Sequence, residues 1–227
     1  MSHIILFDID GTLVLTGGAG GRAMRRAFHE VFNLDNAFDG IPMPGRTDVS
    51  IIRDALARAG LPHDDGLTAR LCERYFHHLS EALHEPHPRK MIMPGVRELL
   101  EALQPRDDVF LALLTGNFAR SAQLKLEYFD LWRYFRCGAF ADDAEDRNHL
   151  LPVALQRAVA QGAPPPAADR VIVVGDTPLD VACAAASGAR AVAVATGPAD
   201  RATLRACGAE VVFEDLSDTR AFLELLR

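Results

Sequence analysis

Six short runs of apolar residues punctuate the chain at 3–9, 109–114, 137–140, 171–174, 191–194 and 211–213, each ending in small or acidic residues. Their apolar positions are nearly continuous instead of alternating. That pattern suits strands covered on both faces, as in a parallel sheet. Between the later runs, three- and four-residue apolar spacing predicts helices over 95–103, 118–128, 148–160, 179–186, 200–207 and 218–226. Strand alternating with helix predicts an α/β fold, a doubly wound parallel sheet of Rossmann-like type. The stretch from about 16 to 88 breaks this rhythm. It offers no strand, only helical patterns over 22–32, 48–59 and 67–83, the second capped by Thr47 or Asp48. The expected organisation is therefore a core built from 1–15 and 89–227 with an inserted all-helical cap over 16–88. The expected hinges are Gly17, Gly18, Gly20 and Gly21 on one side and residues 84–94 on the other.

Composition bounds this picture without changing it. With 227 residues, 49% of them hydrophobic and 24% charged, the chain is globular and suits one domain with an insertion or two unequal ones. The net charge of −7 argues against nucleic acid or an anionic membrane as primary partner. No apolar run approaches the length of a membrane span, and the run 4–7 is stopped by Asp8, so a soluble, cytoplasmic protein is expected. Cys72, Cys137, Cys183 and Cys207 are scattered without metal-ligand spacing, which predicts buried thiols in a reducing compartment.

The chemistry gathers where strands end. The first strand runs into Asp8-Ile9-Asp10-Gly11-Thr12, two carboxylates at a place where burying them is costly. Aimed at one spot they repel each other and invite a divalent cation, and all-oxygen ligation suits Mg²⁺. A turn or helix cap over 10–12 is the plainer reading. The second run ends in Thr115-Gly116-Asn117, where a hydroxyl and backbone N–H groups before a helix favour a phosphate oxygen. A simple N-cap is the alternative there. The fourth run ends in Gly175-Asp176-Thr177-Pro178-Leu179-Asp180: Asp176 precedes the helix and suits a metal, while Asp180 also reads as a first-turn acid. In an open α/β sheet the carboxyl ends of the strands meet at one crevice, so these residues can converge.

In order and placement, these motifs resemble the haloacid dehalogenase superfamily of phosphohydrolases, in its phosphoglycolate-phosphatase-like branch. Asp8-Ile9-Asp10-Gly11-Thr12 matches the first motif, Thr115 the second, and Gly175-Asp176 with Asp180 the fourth; the helical insert falls between the first two. The resemblance implies that Asp8 is the nucleophile that takes the phosphoryl group, and that Asp10 protonates the leaving group and then activates water. It also implies that Mg²⁺ is held by Asp8, the backbone carbonyl of Asp10, Asp176 and, through water, Asp180. The substrate would be a small phosphorylated metabolite, with phosphoglycolate the leading candidate. The chain departs from the family at the third motif, which usually supplies a lysine. Lys90 lies at the returning hinge and Lys125 inside the helix after Thr115, so Arg147, ahead of the next helix, is the candidate. Arg147 either balances Asp8 and phosphate or pairs at the surface with Asp142, Asp143 or Asp146. Lys125 is the other possible cation, reaching back towards Thr115.

In the insert, the loop Gly45-Arg46-Thr47-Asp48 carries two readings: Arg46 meets a substrate group from above the crevice, or Thr47 and Asp48 cap a helix with Arg46 in solvent. The glycines of 17–21 lack a phosphate-loop ending, and His77, His78, His84 and His87 lack zinc spacing, so a hinge and solvated helix ends are expected. Two other functions compete: a phosphosugar mutase of the same superfamily, and a catalytically silent binding protein on the fold.

Overall fold

A computed structural model describes residues 2–227. Its main sheet has six strands: β1 (His3–Phe7), β4 (Val109–Leu114), β5 (Cys137–Ala139), β6 (Val171–Gly175), β7 (Arg190–Val194) and β8 (Val211–Phe213). They lie in the order β5-β4-β1-β6-β7-β8, and every pairing is parallel. The chain winds from β1 to one edge and then crosses to the other, which is the doubly wound arrangement expected. Phe7 pairs with Leu113 on one side and Val174 on the other. The strand-end residues Asp8, Thr115 and Asp176 therefore leave the sheet side by side.

Both faces of the sheet are covered, which explains the unbroken apolar runs. Ile5, Phe7, Leu111, Leu113, Ile172 and Val174 face one core with α4 (Val96–Leu103), α5 (Ala119–Tyr128) and α9 (Thr219–Glu224). Ile4, Leu6, Phe110, Ala112, Leu114 and Val173 face the other with α6 (Leu150–Ala160), α7 (Pro178–Ala186) and α8 (Arg201–Ala206).

Between β1 and α4 lie three helices, α1 (Ala19–Phe32), α2 (Asp48–Arg58) and α3 (Asp65–His84), with their own apolar cluster around Phe28, Phe38, Leu56 and Leu79. Thr47 caps α2, accepting from Ser50 N at 3.2 Å, and Asp64 caps α3. Strand β2 (Val14–Thr16) pairs antiparallel with β3 (Lys90–Ile92), so both crossings run through one two-stranded ribbon. Gly17 and Gly18 take positive φ before α1, whereas Gly20 and Gly21 belong to its first turn. Cys183 is buried as expected, but Cys72 and Cys137 are only half-buried and Cys207 is exposed. No helix among the described residues is long and apolar enough to cross a membrane.

Candidate active site

The crevice forms at the carboxyl ends of β4, β1 and β6. Asp8 follows β1 and is buried, its backbone N–H donating to Val174 O at 2.9 Å. Asp176 follows β6 and is also buried; its Oδ1 accepts the Thr12 hydroxyl at 3.0 Å. Two glycines make room for it: a side chain at Gly11, where φ is 88°, or at Gly197 would collide with the Asp176 carboxylate. Asp180 lies in the first turn of α7, where its Oδ2 accepts from Thr177 N at 3.0 Å and Thr177 Oγ1 at 2.7 Å in a capping box behind Pro178.

Asp8, Asp176 and Asp180 each present an oxygen within 4.8 Å of the others. Arg147 is the counter-charge. It is buried in the turn before α6, with Nη2 3.0 Å from Asp8 Oδ1 and in close contact with Asp180 Oδ1. The same guanidinium donates to Leu114 O at 3.2 Å and Gly45 O at 2.9 Å. The surface alternative for Arg147 therefore fails, because its proposed partners are engaged elsewhere. Asp142 caps α5 through Ala119 N at 2.6 Å, Asp143 pairs with Arg157, and Asp146 accepts from Asn148 N at 2.9 Å.

Three buried acids facing one guanidinium leave a surplus of negative charge. Burial, above all, raises the Asp8 pKa from 3.8 to about 6, with Arg147 opposing the rise and Asp180 and Asp10 adding to it. Burial likewise lifts Asp176 well above the usual carboxylate range, helped by Asp8 and Asp180. Burial works against the charge on Arg147, but Asp180 and Asp8 more than offset this and raise its pKa. A cluster of oxygens with unbalanced charge fits a hard divalent cation. Asp180 is the least available of the three, since one oxygen meets Arg147 and the other caps α7.

Asp10 stands apart from this floor. Its side chain is half-exposed, and its Oδ2 accepts from Lys125 Nζ at 2.6 Å and Asn117 Nδ2 at 2.8 Å. Thr115 is buried, its hydroxyl accepting from Asn117 Nδ2 at 2.8 Å. The carbonyl of Gly116 accepts from Asp48 N at 2.6 Å, so the loop over 45–48 does dip onto the crevice. That loop also reaches Glu145 O through the Thr47 hydroxyl at 2.7 Å. Arg46 lines the cavity beneath, but its guanidinium is paired with Asp54 at 2.8 Å. The cavity measures about 480 Å³ and includes Asp8, Asp10, Thr115, Lys125, Arg147 and Asp176 in its walls.

The profile of the haloacid dehalogenase-like hydrolase family matches residues 5–185, a span running from β1 to the end of α7. The chain belongs to this family of hydrolases. A phosphoglycolate phosphatase of Pseudomonas syringae pv. tomato is 30% identical over 198 residues, covering 87% of this chain and 71% of that one. A phosphoglycolate phosphatase of Rhodospirillum rubrum is 29% identical over 235 residues, covering 96% and 89%. Among solved structures, a hydrolase from Pseudomonas syringae superposes with TM-score 0.71 at 23% identity, covering 99% of this chain and 98% of that one. At that identity the likeness speaks for the shared haloacid dehalogenase-like fold alone.

Sequence reasoning missed three members of this constellation. Thr12 anchors Asp176, and Thr177 orients Asp180. Asp48, read as a cap of its own helix α2, instead turns its Oδ2 to Phe118 N at 3.0 Å and Ser121 Oγ at 3.2 Å, capping α5 across the seam. Thr12, inside the first motif, and Thr177, which opens the capping-box pattern Thr177-Pro178-Leu179-Asp180, had signals that could have found them; the reach of Asp48 to α5 had none. Two of the four histidines pair with acids on the helix faces: His78 meets Glu30 at 2.7 Å, and His77 and His78 both approach Glu81.

Proposed function

We infer that this hydrolase is a Mg²⁺-dependent phosphatase of a small phosphorylated metabolite, working through an aspartyl-phosphate on Asp8. Phosphoglycolate is the leading substrate, a choice supported by the names of the relatives. The observation that carries the reading is the charge surplus of Asp8, Asp176 and Asp180 around one guanidinium, at the floor of a cavity large enough for a small ester. Residues 16–88 act as a cap over this floor, and Arg46 faces the substrate from it.

Asp8, Asp176 and the backbone carbonyl of Asp10 would hold the cation, with Asp180 contributing through water. When bound, Mg²⁺ supplies charge neutralisation that lets two anions, nucleophile and substrate phosphate, approach each other. In the first half-reaction an Asp8 carboxylate oxygen bonds to phosphorus, the bond to the ester oxygen breaks, and Asp10 gives that oxygen its proton. In the second, Asp10 takes a proton from water, the water oxygen bonds to phosphorus, and the bond to Asp8 breaks, releasing inorganic phosphate. Thr115, with the backbone of Gly116 and Asn117, holds phosphate oxygens. Arg147 offsets charge on Asp8 and the phosphoryl group, with a fork suited to two oxygens at once.

A panel of phosphoesters assayed with Mg²⁺ and with EDTA tests the reading. Release of inorganic phosphate that EDTA abolishes is the expected result. Isomerised phosphosugar without phosphate release transfers the reading to mutase chemistry, and inertness towards every ester leaves a binding protein.

A further inference from the structure

The phosphatase reading leaves one half-buried ion pair without a task. The Lys125 side chain is 5% exposed on α5, while its partner Asp10 is 44% exposed. An ammonium is strongly hydrated, so burying it is costly unless its donors are matched closely. Here Nζ donates to Asp10 Oδ2 and to Asn117 Oδ1, both at 2.6 Å. Asn117 turns its amide nitrogen to that same Asp10 Oδ2 at 2.8 Å and to Thr115 Oγ1 at 2.8 Å. The neighbours dictate this orientation: an ammonium cannot accept, so it faces the amide oxygen, and a carboxylate faces the amide nitrogen.

The three side chains thus close a triangle in which both donors converge on one oxygen of Asp10. The other oxygen, Oδ1, accepts no hydrogen bond from any described residue. Asp10 lies beyond the β1 ladder in a turn closed by Gly11 N donating to Val14 O at 2.9 Å, which fixes its backbone but leaves the side-chain torsions of the carboxylate to its partners. Lys125 is itself held, buried beside the first turn of α1 at Gly20 and hydrogen-bonded to both Asp10 and Asn117. Its ion pair is with Asp10, whereas Asp8 is paired with Arg147.

Resting on the phosphatase reading, we propose that Lys125 is the positioning residue for Asp10. With Asn117 it pins Oδ2, leaves Oδ1 as the oxygen that moves the proton between leaving group and water, and ties this orientation to Thr115. A proton donor fixed in one geometry contributes most where the leaving group needs the proton most.

The test compares wild type, Lys125→Met and Lys125→Arg on an alkyl phosphoester and on p-nitrophenyl phosphate, with Mg²⁺, in steady state and in single-turnover phosphorylation. Lys125→Met should lose about 10- to 100-fold in kcat on the alkyl ester, with KM within about threefold. Its phosphorylation by the aryl ester, whose leaving group needs little protonation, should stay within about threefold of wild type. Lys125→Arg should recover part of the loss. Equal losses on both esters overturn the proposal, as does a KM rise confined to carboxylate-bearing substrates, which would make Lys125 a substrate ligand. Thermal unfolding checks the fold. If the methionine variant does not fold, Lys125→Gln takes its place, with the same asymmetry expected and equal losses again decisive. A wild type inert to every ester removes the phosphatase reading and this inference with it, whereas an active wild type with symmetric losses removes this inference alone.

Discussion

The two halves of the crevice solve the problem of buried charge in opposite ways. On the floor, Asp8, Asp176 and Asp180 share one guanidinium, and the pKa values of Asp8 and Asp176 are driven upward. At the mouth, one carboxylate, Asp10, meets one ammonium, Lys125, and an amide completes the set. The floor carries a surplus of negative charge that suits a cation from outside, whereas the charge of Asp10 at the mouth is matched by Lys125. Removing a group should therefore have different consequences at the two ends: metal-linked loss on the floor, proton-linked loss at the mouth.

The largest effect is expected at Asp8. Asp8→Asn keeps the shape and removes the proposed nucleophile, so turnover should vanish. A residual kcat above about one hundredth of wild type, under roughly 3 kcal/mol of lost transition-state stabilisation, contradicts covalent catalysis there. Asp10→Asn comes next, with losses on the order of 10²–10⁴-fold on alkyl esters and much less in single-turnover phosphorylation by an aryl ester. Equal losses on both would erase the distinction between floor and mouth. Arg147→Ala should lower kcat/KM by about 10²–10³-fold, the usual scale for a lost charge-assisted contact to a developing anion. Arg147→Lys should restore part of it, limited by the missing fork. An Arg147→Ala enzyme with near-normal kinetics would reduce that ion pair to architecture.

The smallest effect sharpens the comparison at a fifth acid, which lines the same cavity but belongs to neither charge cluster. Asp48 lies on the seam between the inserted helices and α5, and burial raises its pKa from 3.8 to about 6, with Lys125 opposing the rise. Below pH 4 the folded and unfolded chains both hold this proton. Between about pH 4 and 6 the unfolded chain ionises first, so the fold loses up to about 3 kcal/mol as pH rises, and the loss is complete above pH 6. Asp48→Asn keeps an acceptor for Phe118 and Ser121 while removing the titration. Thermal melts in EDTA from pH 4 to 7 should show the variant gaining on wild type as pH rises. Parallel melting curves would mean that the Asp48 carboxyl is not held in a raised state.

Much of this was legible in the sequence, for physical reasons. The six strands could be read because both faces of the sheet are covered, which writes unbroken apolar runs into the chain. Asp8, Thr115 and Asp176 could be read because a polar group at the end of a buried strand costs free energy unless partners or a ligand meet it there. The ribbon of β2 and β3 could not: three residues each, partly exposed in β3, leave no period to detect. Nor could the partners of Lys125, since a basic residue inside a helix gives no sign of the carboxylate that folding brings to it; the pairing of Arg147 with Asp8 was expected only through the family resemblance, and its second partner Asp180 was not. Asp48 shows the same limit, because the cap it provides belongs to a helix seventy residues away in sequence.

The central claim is that Asp8 carries the phosphoryl group. The most direct measurement is peptide mass spectrometry on the Asp10→Asn variant, acid-quenched during turnover of p-nitrophenyl phosphate with Mg²⁺. Phosphorylation by this ester needs little help from Asp10, whereas hydrolysis of the intermediate does, so phosphorylated enzyme should accumulate. The account predicts a phosphoryl group on Asp8, absent when EDTA is present. Release of p-nitrophenol with Asp8 unmodified at every quench time would contradict it.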